Sequence, residues 1–330
     1  MHVKYRPPKH TCSLRNNLEQ AITPPPQREQ APSPKPPLFI WAPAAIIAVV
    51  MILPLVYLLV RTLNAGSDAW GLIFSASTGA ILWRSMLLVV LVTITSVFIG
   101  VSIAWLTART DIPLRRWITV LSALPLVIPS YVFALMVVTT LGPRGSLQQA
   151  LEPLGVDRLP SIFGLPGAVL TLSLLSYPYV MLPVRAALHR LDPATEEAAR
   201  GLGHSPWATL WRVTLPMIRP GIVAGALLVA LYTLSDFGAV SLLRYQTFTF
   251  AIFIQFESAL DFSSAAALSL VLVLLAMTLL ALESWNRGQG RYYRTTPGST
   301  RMSRPVQLGK YRWPLVVVVG GIVLLALVIP

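Results

Sequence analysis

Seven long apolar runs, separated by short polar stretches, limit what this sequence can fold into. They cover roughly residues 39–60, 85–108, 117–141, 165–184, 221–243, 263–282 and 313–330. Each is near or above the ~18 residues a helix needs to cross a bilayer. In lipid every backbone polar group must be paired within the protein, so such runs predict an all-α, polytopic transmembrane bundle. Of 330 residues only 12% are charged and 55% are hydrophobic. An ordinary soluble domain carries about 25% charged residues, which excludes a typical soluble enzyme. The single cysteine, Cys12, permits no internal disulfide and no cysteine-based metal cluster, and in its polar setting it reads as an incidental thiol.

Residues 1–37 form a tail rich in proline, including Pro24, Pro25, Pro26, Pro32, Pro34, Pro36 and Pro37. Few large apolar residues are available to offset its chain entropy, so disorder is expected. It is not a secretory signal, because the first apolar run starts too late and is too long. The net charge is +13. With the N-terminus placed in the cytoplasm, twenty-one of the 26 lysines and arginines fall on the inner side. Only Arg61, Arg84, Arg144, Arg158 and Arg244 remain outside. This asymmetry fixes a cytoplasmic N-terminus in a cell (plasma or inner) membrane. It also explains the basic balance by anionic headgroups, without nucleic acid.

The seventh run resembles a second beginning. Trp313-Pro314 and the Val/Leu/Ile stretch after it echo Trp41-Ala42-Pro43 and the run after that. The expected organisation is a tail at 1–37, a transmembrane domain at 38–285 with an inner loop at 188–220, and a basic cytoplasmic linker at 286–312. Residues 313–330 would then be the first span of a second, truncated unit.

The inner loop between the fourth and fifth runs is the most informative segment. Asp192 is placed to cap a helix with Pro193 at its first position, and Glu196 and Glu197 favour the N-terminal turns. An ion pair between Glu196 and Arg200 is one available contact. Gly201 and Gly203 suit the end of that helix. Ser205 and Pro206 start a second one, which Pro216 and Pro220 interrupt before the fifth run. Two short helices joined by a glycine corner follow.

Seven positions of this loop, Glu197, Ala198, Ala199, Gly203, Val213, Leu215 and Pro216, match the pattern Glu-Ala-Ala, three residues, Gly, nine residues, an aliphatic, any residue, Leu-Pro. The loop thereby resembles the hallmark of permease subunits of binding-protein-dependent ABC importers, over about residues 80–285. The resemblance implies a six-span permease unit whose loop docks as a coupling helix in a groove of an ABC ATPase dimer. It also implies an extracytoplasmic substrate-binding protein and a second permease unit as partners. Ala198, Ala199 and Gly203 supply the small surface that close docking needs, and Glu197 a charge to pair with a donor on the partner. The chain has no Gly-x-x-x-x-Gly-Lys-[Ser/Thr] phosphate loop. It binds no cofactor in this reading and is not an enzyme, and ATP with magnesium is used by the partner.

Within the fifth run, Asp236 is the only acidic residue of any apolar run. A carboxylate at the centre of a span costs about 2.5–3.5 kcal/mol on insertion scales. It therefore either lines a polar translocation pathway with Ser235 and Phe237, or caps a helix ending near Gly238. Pro125, Pro129, Pro178 and Pro183 mark breaks or bends in the third and fourth runs. The stretch 235–249 resembles the ferric-iron branch of these permeases, whose members fuse two six-span units. Relatives for thiamine, phosphonate, sulfate or polyamine share much of it. His189 and His204 are not spaced as metal ligands. A transporter driven by an ion gradient through Asp236 is the rival reading, and lacks inverted repeats and intramembrane charge partners.

Overall fold

The computed structural model describes residues 38–143, 145–155, 160–258, 260–287 and 306–328. The proline-rich tail, Cys12 and most of the basic linker lie outside the described residues. Among the described residues all regular elements are helical, apart from one isolated backbone bridge between Thr110 and Val306. The all-α expectation holds, with six helices long and apolar enough to cross a bilayer.

The chain divides into two compact units, Met1–Leu55 and Val56–Pro330. The described part of the first is most of helix α1 (Leu38–Leu63), which contains Pro43 and Pro54. Its side chains from Trp41 to Leu55 are exposed and largely apolar, a surface suited to lipid.

The second unit holds the end of α1 and thirteen further helices. These are α2 (Gly66–Ile73), α3 (Ala76–Arg109), α4 (Arg115–Ala123), α5 (Ser130–Leu141), α6 (Ser146–Leu151), α7 (Leu165–Arg190), α8 (Pro193–Gly201), α9 (Pro206–Thr209), α10 (Leu215–Ser235), α11 (Gly238–Leu242), α12 (Phe248–Phe253), α13 (Phe262–Arg287) and α14 (Arg312–Val328). Helix α3 has 34 residues and is about 51 Å long at 1.5 Å per residue. A hydrocarbon core is ~30 Å thick, so α3 outruns it and carries its ends into the interfacial layers.

Helix α7 is the centre of the bundle, packed between α3 and α10. Leu172, Tyr177, Val180, Met181 and Val184 are fully buried. Two glycines let the flanking backbones close on it. A Cβ at Gly100 of α3 would lie 2.7 Å from the Tyr177 carbonyl oxygen, and one at Gly225 of α10 would lie 2.6 Å from the Val180 Cα. Gly221, one turn earlier, faces Pro183 and Ala187. Gly221 and Gly225 form a Gly-x-x-x-Gly step of the kind that brings membrane helices together.

The prolines act differently from one run to the next. The third run is not one straight helix. A 3₁₀ turn at Leu124–Val127 follows α4, Ile128 is extended, and α5 starts after Pro129. The two halves are bent by 101°. Pro129 has no N–H to continue the ladder and holds Ile128 out of the helical region. Pro178 and Pro183, by contrast, sit inside a continuous α7, so the expected break is absent there. Deep in the bundle no water competes for the freed carbonyls, and neighbouring helices can approach them. The Tyr179 carbonyl, left without its helical donor by Pro183, faces Gly225.

The seventh run becomes α14, which packs on α4, the 3₁₀ turn and α7 through Val319, Val323 and Ala326. Before it, the Val306 N–H donates to the Arg109 carbonyl at 2.8 Å and the Asp111 N–H to the Val306 carbonyl at 3.3 Å. The Leu308 N–H donates to Asp111 Oδ1 at 3.0 Å.

Candidate functional site

Five of the seven pattern residues fall on the connection between α7 and α10, and Leu215 and Pro216 are the first two residues of α10. Asp192 caps α8 as expected: its Oδ1 accepts the Ala194 N–H at 3.0 Å. At the other end the Leu202 N–H donates to the Ala198 carbonyl and the His204 N–H to the Ala199 carbonyl. Gly203 closes this turn with φ +88°, a left-handed conformation that glycine adopts without penalty. Gly201 is the last residue of α8. Ser205 Oγ accepts the Ala208 N–H at 3.2 Å and starts the second arm.

That second arm differs from expectation. Pro216 and Pro220 do not interrupt it. Helix α9 passes through a π-helical stretch at Leu210–Thr214 directly into α10, and Trp207–Ser235 is one continuous apolar helix of 29 residues. The wider π turn lets the chain pass the missing N–H of Pro216 without unwinding, and such turns are common at functional sites. The loop is therefore one short helix, α8, joined by the Gly203 corner to the extended end of a membrane helix.

The two faces of this hook have different chemistry. Glu197, Ala198 and Gly203 are exposed, beside Leu202 at 84%, Trp207 at 68% and Trp211 at 55% exposure. The two tryptophans meet edge-to-face with ring centroids 5.9 Å apart. Small residues, one carboxylate and uncovered apolar groups together form a surface ready for a protein partner. On the inner side Ala199 is buried, Val213 and Leu215 are half-buried, and Pro216 is exposed at the start of α10.

Glu196 turns inward and does not pair with Arg200. Its Oε1 lies 3.3 Å from Nη2 of Arg109, the last residue of α3, and accepts the Thr214 hydroxyl at 3.0 Å. Both charged side chains are largely buried, at 7% and 14% exposure. Removing one partner of such a buried pair costs about 3–5 kcal/mol, since the other charge is left uncompensated. Sequence reasoning weighed only the local partner of Glu196. The available signal was Arg109 itself, an arginine at the boundary of an apolar run.

Asp236 lies where α10 ends, and its side chain is buried, with 7% exposure for the residue. Its Oδ2 accepts the Ala239 N–H at 2.9 Å, and its carbonyl accepts the Thr249 hydroxyl at 2.7 Å. The carboxylate thus holds the start of α11 (Gly238–Leu242); the expected helix end near Gly238 lies earlier, at Ser235, and Asp236 serves the following helix. Ser235 is exposed, and Phe237 stacks on Phe253 with centroids 4.7 Å apart. The start of α5 closes over this corner: a Cβ at Gly238 would meet Ser130 Oγ at 2.7 Å. The break in the third run and the break in the fifth therefore face each other. A cavity of about 220 Å³ lies against the first of them, lined by Pro125–Pro129, Leu175, Tyr179 and Tyr232. Asparagine caps helices as well as aspartate, whereas loss of a cap costs about 1 kcal/mol. Asp236→Asn is expected to keep the stability of the extracted protein and Asp236→Leu to lower it, as measured by thermal melting. Equal melting of the two variants would show that this cap contributes nothing to the fold.

Comparison with known proteins places these features in context. The family model for binding-protein-dependent transport system inner membrane components matches residues 96–285. The Fe(3+)-transport system permease protein FbpB 2 of Haemophilus influenzae is 34% identical over 268 residues, covering 81% of this chain and 49% of that protein. The chain thus spans about half the length of this relative. The molybdenum transport system permease protein ModB of Azotobacter vinelandii is 32% identical over 204 residues, 60% of this chain and 89% of that one. In fold, a chain of a bacterial alginate ABC transporter, crystallised with an alginate-bound periplasmic protein, superposes with a TM-score of 0.62. That match has 16% identity and covers 76% of this chain and 94% of the other.

Proposed function

The chain belongs to the family of binding-protein-dependent transport system inner membrane components, and from that premise we propose that it is a permease unit of an ATP-driven importer. The observation that carries this reading is the hook at residues 192–216. Exposed Glu197 and Ala198 sit on α8 and Gly203 at the corner after it, and the second arm runs unbroken into a membrane helix. A partner that grips α8 and moves it would tilt α10 directly. The partner is an ABC ATPase dimer, which supplies the nucleotide chemistry with ATP and magnesium. A second permease unit, fused or separate, completes the passage, and a binding protein delivers the cargo from outside. The arginine-rich end carrying Arg109, Arg190 and the hook is the cytoplasmic side, in keeping with the distribution of basic residues along the chain. The passage runs beside the facing breaks at Ile128–Pro129 and Ser235–Phe237, where discontinuous helices bring backbone polar groups to membrane depth.

We propose ferric iron as the cargo. The support is the iron-permease relative, 34% identical over a stretch that covers 81% of this chain. An oxyanion such as molybdate is the second reading, favoured by a relative of which this chain covers 89%. Reconstitution of the full chain with its ATPase and binding protein separates them. Radiolabelled ferric ion is expected to enter only with ATP and to be unaffected by excess molybdate. Uptake of molybdate in place of iron would reassign the cargo. Uptake that persists without ATP and collapses with the ion gradient would sink the importer reading.

A further inference from the structure

The corner at Arg109–Asp111 gathers more of the molecule than any other point near the hook. Arg109 ends α3 and faces Glu196 of α8 at 3.3 Å. The same Glu196 oxygen accepts the hydroxyl of Thr214, in the π-helical stretch that becomes α10. The Arg109 carbonyl and the Asp111 N–H hold Val306, and Asp111 Oδ1 holds the N–H of Leu308, on the segment that leads into α14. Helix α3, helix α8 and the segment before α14 therefore meet within three residues of chain, and the start of α10 joins them through Glu196.

The electrostatics make the pair selective. Arg109, Arg115 and Arg185 all lie near His189, and Arg185 donates to Thr119 Oγ1. Among the described residues Glu196 is the one acid bonded into this basic group by an ion pair. The Arg109 Nε and Nη2 are buried and make no hydrogen bond among the described residues, so its charge depends on Glu196 for compensation. A lone buried charge is costly, and α8 is thereby held to α3 by more than its short covalent link to α7.

We propose that Arg109 and Glu196 are positioning residues for transport: their pair carries movement of the hook into α3 and α14 at the moment the continuous helix carries it into α10. This rests on the importer reading. Without the pair, the hook still presents Glu197, Ala198 and Gly203 to the ATPase, but only the two helices joined to it along the chain, α7 and α10, follow it. Coupling then leaks, and ATP is hydrolysed with less cargo moved.

The test uses the full chain assembled with its ATPase and binding protein in proteoliposomes, scored for ATPase retained, ATP hydrolysed and cargo taken up. Glu196→Gln and Arg109→Gln are expected to retain the ATPase and to hydrolyse ATP, while uptake per ATP falls about tenfold, a size typical of residues in a coupling network. Arg109→Lys, which keeps the charge without the planar fork, should fall between. The exchange of Arg109→Glu with Glu196→Arg should recover most of the loss. Unchanged uptake per ATP in Glu196→Gln overturns the proposal. So does a loss accounted for by lower protein abundance that the exchanged pair fails to repair, since that would mark the contact as serving the fold alone. A wild-type chain that retains no ATPase would be a failure of the importer reading and is visible in the first measurement.

Discussion

Replacing Gly203 by valine is expected to abolish uptake and to release the ATPase, while the protein still inserts and extracts from the membrane. Gly203 has φ +88°. A left-handed residue with a side chain costs about 1–2 kcal/mol, and a β-branched one more, so the corner would unwind to relieve it. The hydrogen bonds from Leu202 and His204 back onto Ala198 and Ala199 would go with it, and Glu197 and Ala198 would no longer be presented together. No atom lies within 4 Å of the site a Cβ would occupy. The bundle therefore does not resist the change, and the damage is confined to the hook. Asparagine tolerates left-handed backbone, so Gly203→Asn should retain much of the activity. Gly203→Asp has the same backbone tolerance but adds a charge to the docking surface, and should lose ATPase binding while its own fold is kept. Co-purification of the ATPase from gently extracted membranes, followed by uptake, reads all three. Valine and asparagine variants that behave alike would remove the backbone explanation. An aspartate variant that binds normally would show that Gly203 does not face the partner.

The hook was legible because its signals are local. A cap, a proline at the first helical position and a glycine in a left-handed turn each act within four residues, and the pattern from Glu197 to Pro216 keeps its spacing in the folded chain. What could not be read was decided by neighbours distant in sequence. Glu196 has Arg200 one turn away, yet it pairs with Arg109, because burial at the end of α3 makes that contact worth more than an exposed one along a helix. The prolines make the same point. Pro129 breaks its run and Pro183 does not, although both remove one backbone donor. The difference lies in what stands opposite, a cavity in the first case and Gly225 in the second. Asp236 was ambiguous for a related reason: a carboxylate in an apolar run must meet a donor, and the sequence does not say whether that donor is cargo or the Ala239 N–H. The docking of Val306 on Arg109–Asp111 left no sequence signal, since a single backbone bridge needs no particular side chain.

Gly225→Leu is expected to leave little folded protein at all. A side chain there must displace the Val180 backbone, 2.6 Å from the position of its Cβ, and the Tyr179 carbonyl at 2.9 Å. Inserting methylenes against flexible side chains costs about 1–3 kcal/mol. Here backbone opposes them, on a helix that is itself clamped from behind by Gly100 at Tyr177 and Val180. Relief for one contact therefore tightens the other. Because Gly100 and Gly225 press on Val180 from two different helices, each blocks the retreat the other would need, and their substitutions should combine to more than the sum of their separate effects. Gly225→Ala is the graded case, lowering the melting temperature of the extracted protein by several degrees. Gly79→Leu, on the same α3 helix but with no atom within 4 Å of its Cβ site, is the control for adding bulk to a membrane helix. If Gly225→Leu accumulated and melted like Gly79→Leu, α7 would not be gripped between its neighbours. The movement of α10 could then not be passed to α7 by packing, which would leave the corner at Arg109 as the main route from the hook into the bundle.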